Sequence, residues 1–138
     1  MHWLSSSDGS SNNCHFRGSD AITNNEWHHA AVVRNGDVIY MFLDGEMQSN
    51  TGSQESTYAG SHEFMIGANG SSGIQQFFDG AISNVRFIKG QDIYNNGYNI
   101  ITDKLNESLT TTSQGATASK VKLICCNQST VTGSTVTP

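Results

Sequence analysis

Proline is almost absent from this chain of 138 residues, with one in the whole sequence, and charged side chains make up only 14% of it. The surface therefore has to be covered largely by Ser, Thr, Asn and the 14 Gly residues, a composition common on extracellular and virion-exposed β-proteins. Lys and Arg total 7 and the net charge is -5, which argues against a surface that tracks phosphates, so nucleic acid is not an expected partner. No apolar run is long enough to span a bilayer, and the N-terminus lacks the basic-then-apolar design of a signal peptide; no membrane partner is expected. Helical periodicity is missing from every window of useful length. Cysteine is scarce and odd in number: Cys14, Cys125 and Cys126 cannot all pair within one chain. Neighbours on a strand point to opposite faces, so Cys125-Cys126 reads as a poor disulfide, with one thiol inward and one outward, in a protein that matures under reducing conditions. Spacings of the CxxC or HxxxH kind that would suggest zinc do not occur.

What the chain has instead is short apolar runs that end in turn residues. Trp27 to Arg34 alternates, with Trp27, His29, Ala31 and Val33 on one side and His28, Ala30, Val32 and Arg34 on the other. Asn35-Gly36 suits a type I′ turn and predicts that Asp37 to Asp44 folds back as a hairpin partner. Ile39, Met41 and Leu43 then share one face, with Tyr40 and Phe42 opposite. Asp44-Gly45 repeats the signal and starts a third strand near Glu46 and Met47. Residues 63–68 and 80–88 are two further strand candidates. A short apolar start at Met1 to Leu4, a turn at Asp8-Gly9 and a strand at Cys14 to Arg17 open the chain; Val121 to Cys126 closes the patterned part. The polar tail, residues 127–138, is expected to be mobile, and residues 1–126 suit one domain of this size.

The runs WHHAAVVRNGDVIYMFLDGE, EFMIGANG and FFDGAISNVRFIKGQDIY resemble the laminin-G-like, concanavalin A-like domains. The resemblance covers roughly residues 1–96. It implies an all-β fold, an antiparallel β-sandwich of the jelly-roll type, and a role in binding. It also implies that the strands which usually precede this segment are missing, so the sandwich is either incomplete or completed by another chain, and a homo-oligomer or a larger assembly is expected. Lys122-Leu123-Ile124-Cys125-Cys126 is similar to the strand that follows such domains in structural proteins of marine bacteriophages, cyanophages in particular. That similarity implies a virion surface, with an extracellular setting as the alternative.

The fold also houses glycoside hydrolases, which need two carboxylates about 5 to 10 Å apart across the sugar bond. The acidic residues here stand singly; Asp44 and Glu46 come closest, and the turn explains Asp44. No catalytic residue is assigned. His28 and His29 diverge on a strand and cannot chelate one metal together, and the resemblance implies that His29 packs in the core beside Trp27. Arg34 and Arg86 read as surface ladders or as partners of Asp side chains. Two functions remain open. The first is a non-catalytic recognition module for glycan or another surface ligand, with Tyr40 and Phe42 as outward aromatics. The second is an architectural virion protein, a capsid decoration or fibre component that meets other virion proteins. No cofactor is required on either reading; the resemblance implies that calcium could sit at the sandwich rim, with Asn69 and Asp79 as oxygen donors, although both are also ordinary turn residues.

Overall fold

The computed structural model describes residues 1–10, 14–49, 52–53, 58, 60, 65–68, 74–94 and 116–126. Among these the chain forms eight strands: β1 (His2–Ser5), β2 (Cys14–Arg17), β3 (Ala30–Asn35), β4 (Val38–Leu43), β5 (Glu46–Met47), β6 (Gly52–Ser53), β7 (Val85–Ile88) and β8 (Val121–Cys125). Every pairing is antiparallel, and no α-helix occurs among the described residues. A 3-10 turn, Ala118–Lys120, leads into β8. The fold class is therefore all-β and antiparallel, as the turn-punctuated apolar runs predict. The chain divides into two compact units, residues 1–60 with 92–100, and residues 61–91 with 101–138.

In the first unit, β1 pairs with β2 from His2↔Arg17 to Ser5↔Cys14. The Ser6 hydroxyl accepts from the Gly9 amide at 2.8 Å, and the Asp8 carboxylate accepts from the Ser10 amide at 2.9 Å. These local bonds turn the backbone, and Gly9 takes a φ of 77° at the corner. The larger sheet runs β3-β4-β5, with β6 also bonded to β4. Its β3–β4 hairpin has Asn35 paired with Val38, so the two loop residues are Gly36 and Asp37, one position later than the Asn-Gly signal suggests. Of these, Gly36 has positive φ, 59°, and Asp37 does not. That is the type II′ pattern rather than type I′. Asn35 is held in the strand, and its side-chain amide donates to the Asp92 carboxylate at 2.8 Å. The β4–β5 turn does match expectation, with positive φ at both Asp44 (49°) and Gly45 (93°), a type I′ turn.

Strand β4 is buried on both faces. Ile39, Met41 and Leu43 are buried on one side and Phe42 on the other. Each such side chain contributes roughly 1.5–3 kcal/mol relative to exposure. Val33 pairs with Tyr40 and Ala31 with Phe42, so these four share a face. Tyr94 covers part of it, with its ring 6.2 Å from that of Phe42.

In the second unit β7 pairs with β8 from Val85↔Cys125 to Ile88↔Val121, with a register shift between Phe87 and Ile88. The candidate strand over 80–88 is only half realised. Asn84 takes a left-handed φ of 54°, which breaks the extended run before Val85. Of the candidate over 63–68, residues 66–68 form a bend and 65 is irregular, and 63–64 lie outside the described residues, as does the polar tail. Among the described residues of this unit, Ile124, Cys125 and Ala116 are the buried apolar ones.

Candidate functional site

Aromatic side chains are the first candidates for ligand contact, and the structure separates them. Tyr40 is half-buried on β4. Phe42, expected to face outward, is only 4% exposed. The reason is Tyr94: its ring comes over the Tyr40–Phe42 face and also meets the His29 ring edge-on at 5.6 Å. The Tyr94 hydroxyl lies 3.3 Å from His29 Nε2. His29 is thus half-buried against Tyr94, in keeping with a packed histidine, but Trp27 is not beside it in a core. Trp27 is 72% exposed.

That displacement has a local cause. The alternation from Trp27 onward presumes a strand, yet β3 begins only at Ala30. The preceding residues turn instead, with Asn25 at a φ of 65°, and side chains hold them there. The Thr23 hydroxyl donates to Glu26 Oε2 at 2.8 Å. His28 Nδ1 lies 2.6 Å from Asp44 Oδ2, and its Nε2 lies 3.0 Å from Thr23 Oγ1 and 3.2 Å from the Thr23 carbonyl oxygen. The other Asp44 oxygen accepts from the His29 amide at 2.8 Å.

The surroundings of His28 favour one protonation state. The single Thr23 hydroxyl hydrogen is used on Glu26, and a carbonyl oxygen can only accept, so His28 Nε2 carries a hydrogen. Nδ1 faces a carboxylate and carries one too. These contacts favour the charged form of His28. Consistently, the hydrogen bond to Asp44 raises the His28 pKa from its ordinary 6.5, and the bond to His28 lowers that of Asp44 from 3.8. The order Thr23–His28–Asp44 has the outline of a hydrolytic triad, but a general base needs a free nitrogen lone pair. A histidine with both nitrogens donating cannot provide it in this state. The cluster is a clamp between the 23–28 segment and the β4–β5 turn. Thr23 and Glu26 are near in sequence, but the contact of His28 with Asp44 spans 16 positions and leaves no local signal.

Gln48 is a second polar residue the pattern did not single out, and it is 1% exposed. Its Oε1 accepts from the Asp20 amide at 2.9 Å and from the Ser19 hydroxyl at 3.3 Å, and its Nε2 donates to Asp20 Oδ2 at 2.8 Å. It ties the segment after β2 to β5.

Of the expected calcium ligands, Asn69 lies outside the described residues and Asp79 is exposed. Among the described residues no three acids, histidines or cysteines converge as a metal ion would need. Arg34 Nε donates to the Gly36 carbonyl at 2.9 Å, closing the hairpin. In the second unit Ile74, Phe77 and Phe78 are all more than half exposed. No described helix is long and apolar enough to cross a membrane.

Comparison with known proteins supplies the family. A family model described as the concanavalin A-like lectin/glucanases superfamily matches residues 1–91. The chain belongs to that superfamily. No curated protein and no solved structure matches the chain. The matched span contains β1 to β7, so β8, with Cys125 at its end and Cys126 just after it, lies beyond it. For a concanavalin A-like domain the functional class is a carbohydrate-binding or structural module, although the superfamily also includes glucanases.

Proposed function

We propose that this concanavalin A-like protein is a non-catalytic recognition module for glycans, displayed on a virion surface. The observation that carries the reading is Trp27, a large aromatic 72% exposed on a segment fixed by the His28–Asp44 clamp. An indole held outward on an ordered backbone offers a flat apolar face with a polar edge, the kind of surface on which sugar rings stack, at little cost in ordering. Tyr40, half-buried, is the second candidate for contact. Phe42 supports the sheet from within. The occupied nitrogens of His28 and the singly placed acids support the absence of a hydrolytic role. The likeness of residues 122–126 to a strand of phage structural proteins supports the setting.

One shallow site buries little area, so binding is weak per site and gains from repeated copies. A glycan array probed with the oligomerised protein is expected to give hits that the monomer lacks. Those hits should survive chelation of divalent metals and disappear in Trp27→Ala, with the circular dichroism spectrum unchanged. Hits that persist in Trp27→Ala, or equal binding by monomer and oligomer, would sink this reading. The absence of any hit favours an architectural role, which the exposed Ile74, Phe77 and Phe78 support independently. Apolar side chains so closely spaced suit burial against another virion protein.

A further inference from the structure

Strand β8 leads into two adjacent thiols that converge. On a continuous strand they would point to opposite faces, but β8 ends at Cys125, and Cys126 takes a left-handed φ of 56°. The Cys126 carbonyl fixes that conformation by accepting from the Asn84 amide at 2.8 Å and from the Ser83 hydroxyl at 3.3 Å. The turn brings Cys126 Sγ to 3.9 Å from Cys125 Sγ. Both thiols are free, Cys125 buried and Cys126 half-buried. Both lie outside the span shared with the superfamily.

We propose that Cys125 and Cys126 form a modification site, a vicinal dithiol that closes to a disulfide by exchange with a small-molecule disulfide such as oxidised glutathione. Cys126 is the more accessible thiol and reacts first. It gives its proton to water, its sulfur attacks one sulfur of the reagent, the reagent's S–S bond breaks, and one reagent thiolate leaves and takes up a proton. Cys125 then loses its proton and attacks Cys126 Sγ, expelling the second reagent thiolate. Two protein thiols are oxidised and one reagent disulfide is reduced to two thiols, so no further oxidant is needed. Burial, and then the neighbouring Cys126, push the Cys125 thiol up to about 11, which makes the second step the slower one and speeds it as pH rises. Consecutive Cα atoms lie about 3.8 Å apart, closer than the roughly 4.4–6.8 Å of ordinary disulfides. The ring is accordingly strained and easily reduced, and the pair is a reversible one.

The test uses the native full chain, incubated with and without oxidised glutathione, quenched with N-ethylmaleimide, digested with trypsin and read by mass spectrometry. Cleavage after Lys122 leaves Cys125 and Cys126 on one peptide, residues 123–138, while Cys14 lies on residues 1–17. The expected product is a 123–138 peptide free of glutathione and maleimide and lighter by the two hydrogens lost, which returns to the doubly alkylated form after mild dithiothreitol. Cys125→Ser should instead stop at a stable glutathione adduct on Cys126. A wild-type peptide carrying glutathione on Cys126 and maleimide on Cys125, or two maleimides after every incubation, overturns the proposal without recourse to any variant.

Discussion

At the scale of single residues, two side chains carry more than their positions in the sequence suggest. His28 has a raised pKa because its charged form is bonded by Asp44. Its contribution to stability is full below the ordinary value of 6.5 and is lost as pH rises through the raised folded value. Asp44 is shifted the other way by His28; its contribution is full above 3.8 and is lost as pH falls through the lowered folded value. The clamp is therefore strongest between these limits. Urea unfolding across pH should show stability falling on the alkaline side of 6.5, and the Asp44→Asn protein should lose that slope. A slope unchanged in Asp44→Asn would remove the imidazolium from the account. Gln48 is the second case. Gln48→Leu leaves the Asp20 amide without its acceptor and is expected to cost about 1–3 kcal/mol, and Gln48→Glu, which sets a second carboxylate against Asp20, should cost more. Equal midpoints for wild type and Gln48→Leu would show that the network is dispensable.

At the scale of elements, the turns were the legible part. Asp44-Gly45 is a type I′ turn because both residues tolerate positive φ, and that property is written in the dipeptide. Asn35-Gly36 gave the hairpin but not its register, because a single Gly at the first loop position also satisfies type II′, and no local rule ranks the two. The apolar run of β8 and the two short strands β1 and β2 were likewise readable. What could not be read depends on partners far along the chain: Tyr94 buries Phe42, and Asp44 holds His28 so that Trp27 turns outward. Alternation assumes a continuous strand, and it fails where a left-handed residue such as Asn84 interrupts one. The glycine corners give a direct check. A Cβ at Gly36 meets nothing within 4 Å, whereas at Gly9 it would lie 2.5 Å from Tyr58 Cε1. Gly36→Ala is expected to cost about 1–2 kcal/mol, from φ alone, and Gly9→Ala more. Thermal melts in a Tyr58→Ala background should remove the difference; if it persists there, the ring is not its cause.

At the scale of the whole molecule, exposed apolar side chains from both units, among them Trp27, Met47, Phe77 and Phe78, support an assembly larger than one chain. Light scattering after size-exclusion chromatography is expected to give a mass above the 14.9 kDa of the monomer. A monomer with one cooperative thermal transition would count against it. Within the first unit, β4 stands apart: β3 bonds one of its edges, β5 and β6 bond the other, and side chains are buried on both of its faces. Its residues Ile39 and Met41 to Leu43 are buried, so solvent deuterium reaches their amides when that sheet comes apart. The slowest-exchanging amides among residues 38–43 thus report the free energy of opening the entire unit, and the fast ones elsewhere report only its fraying.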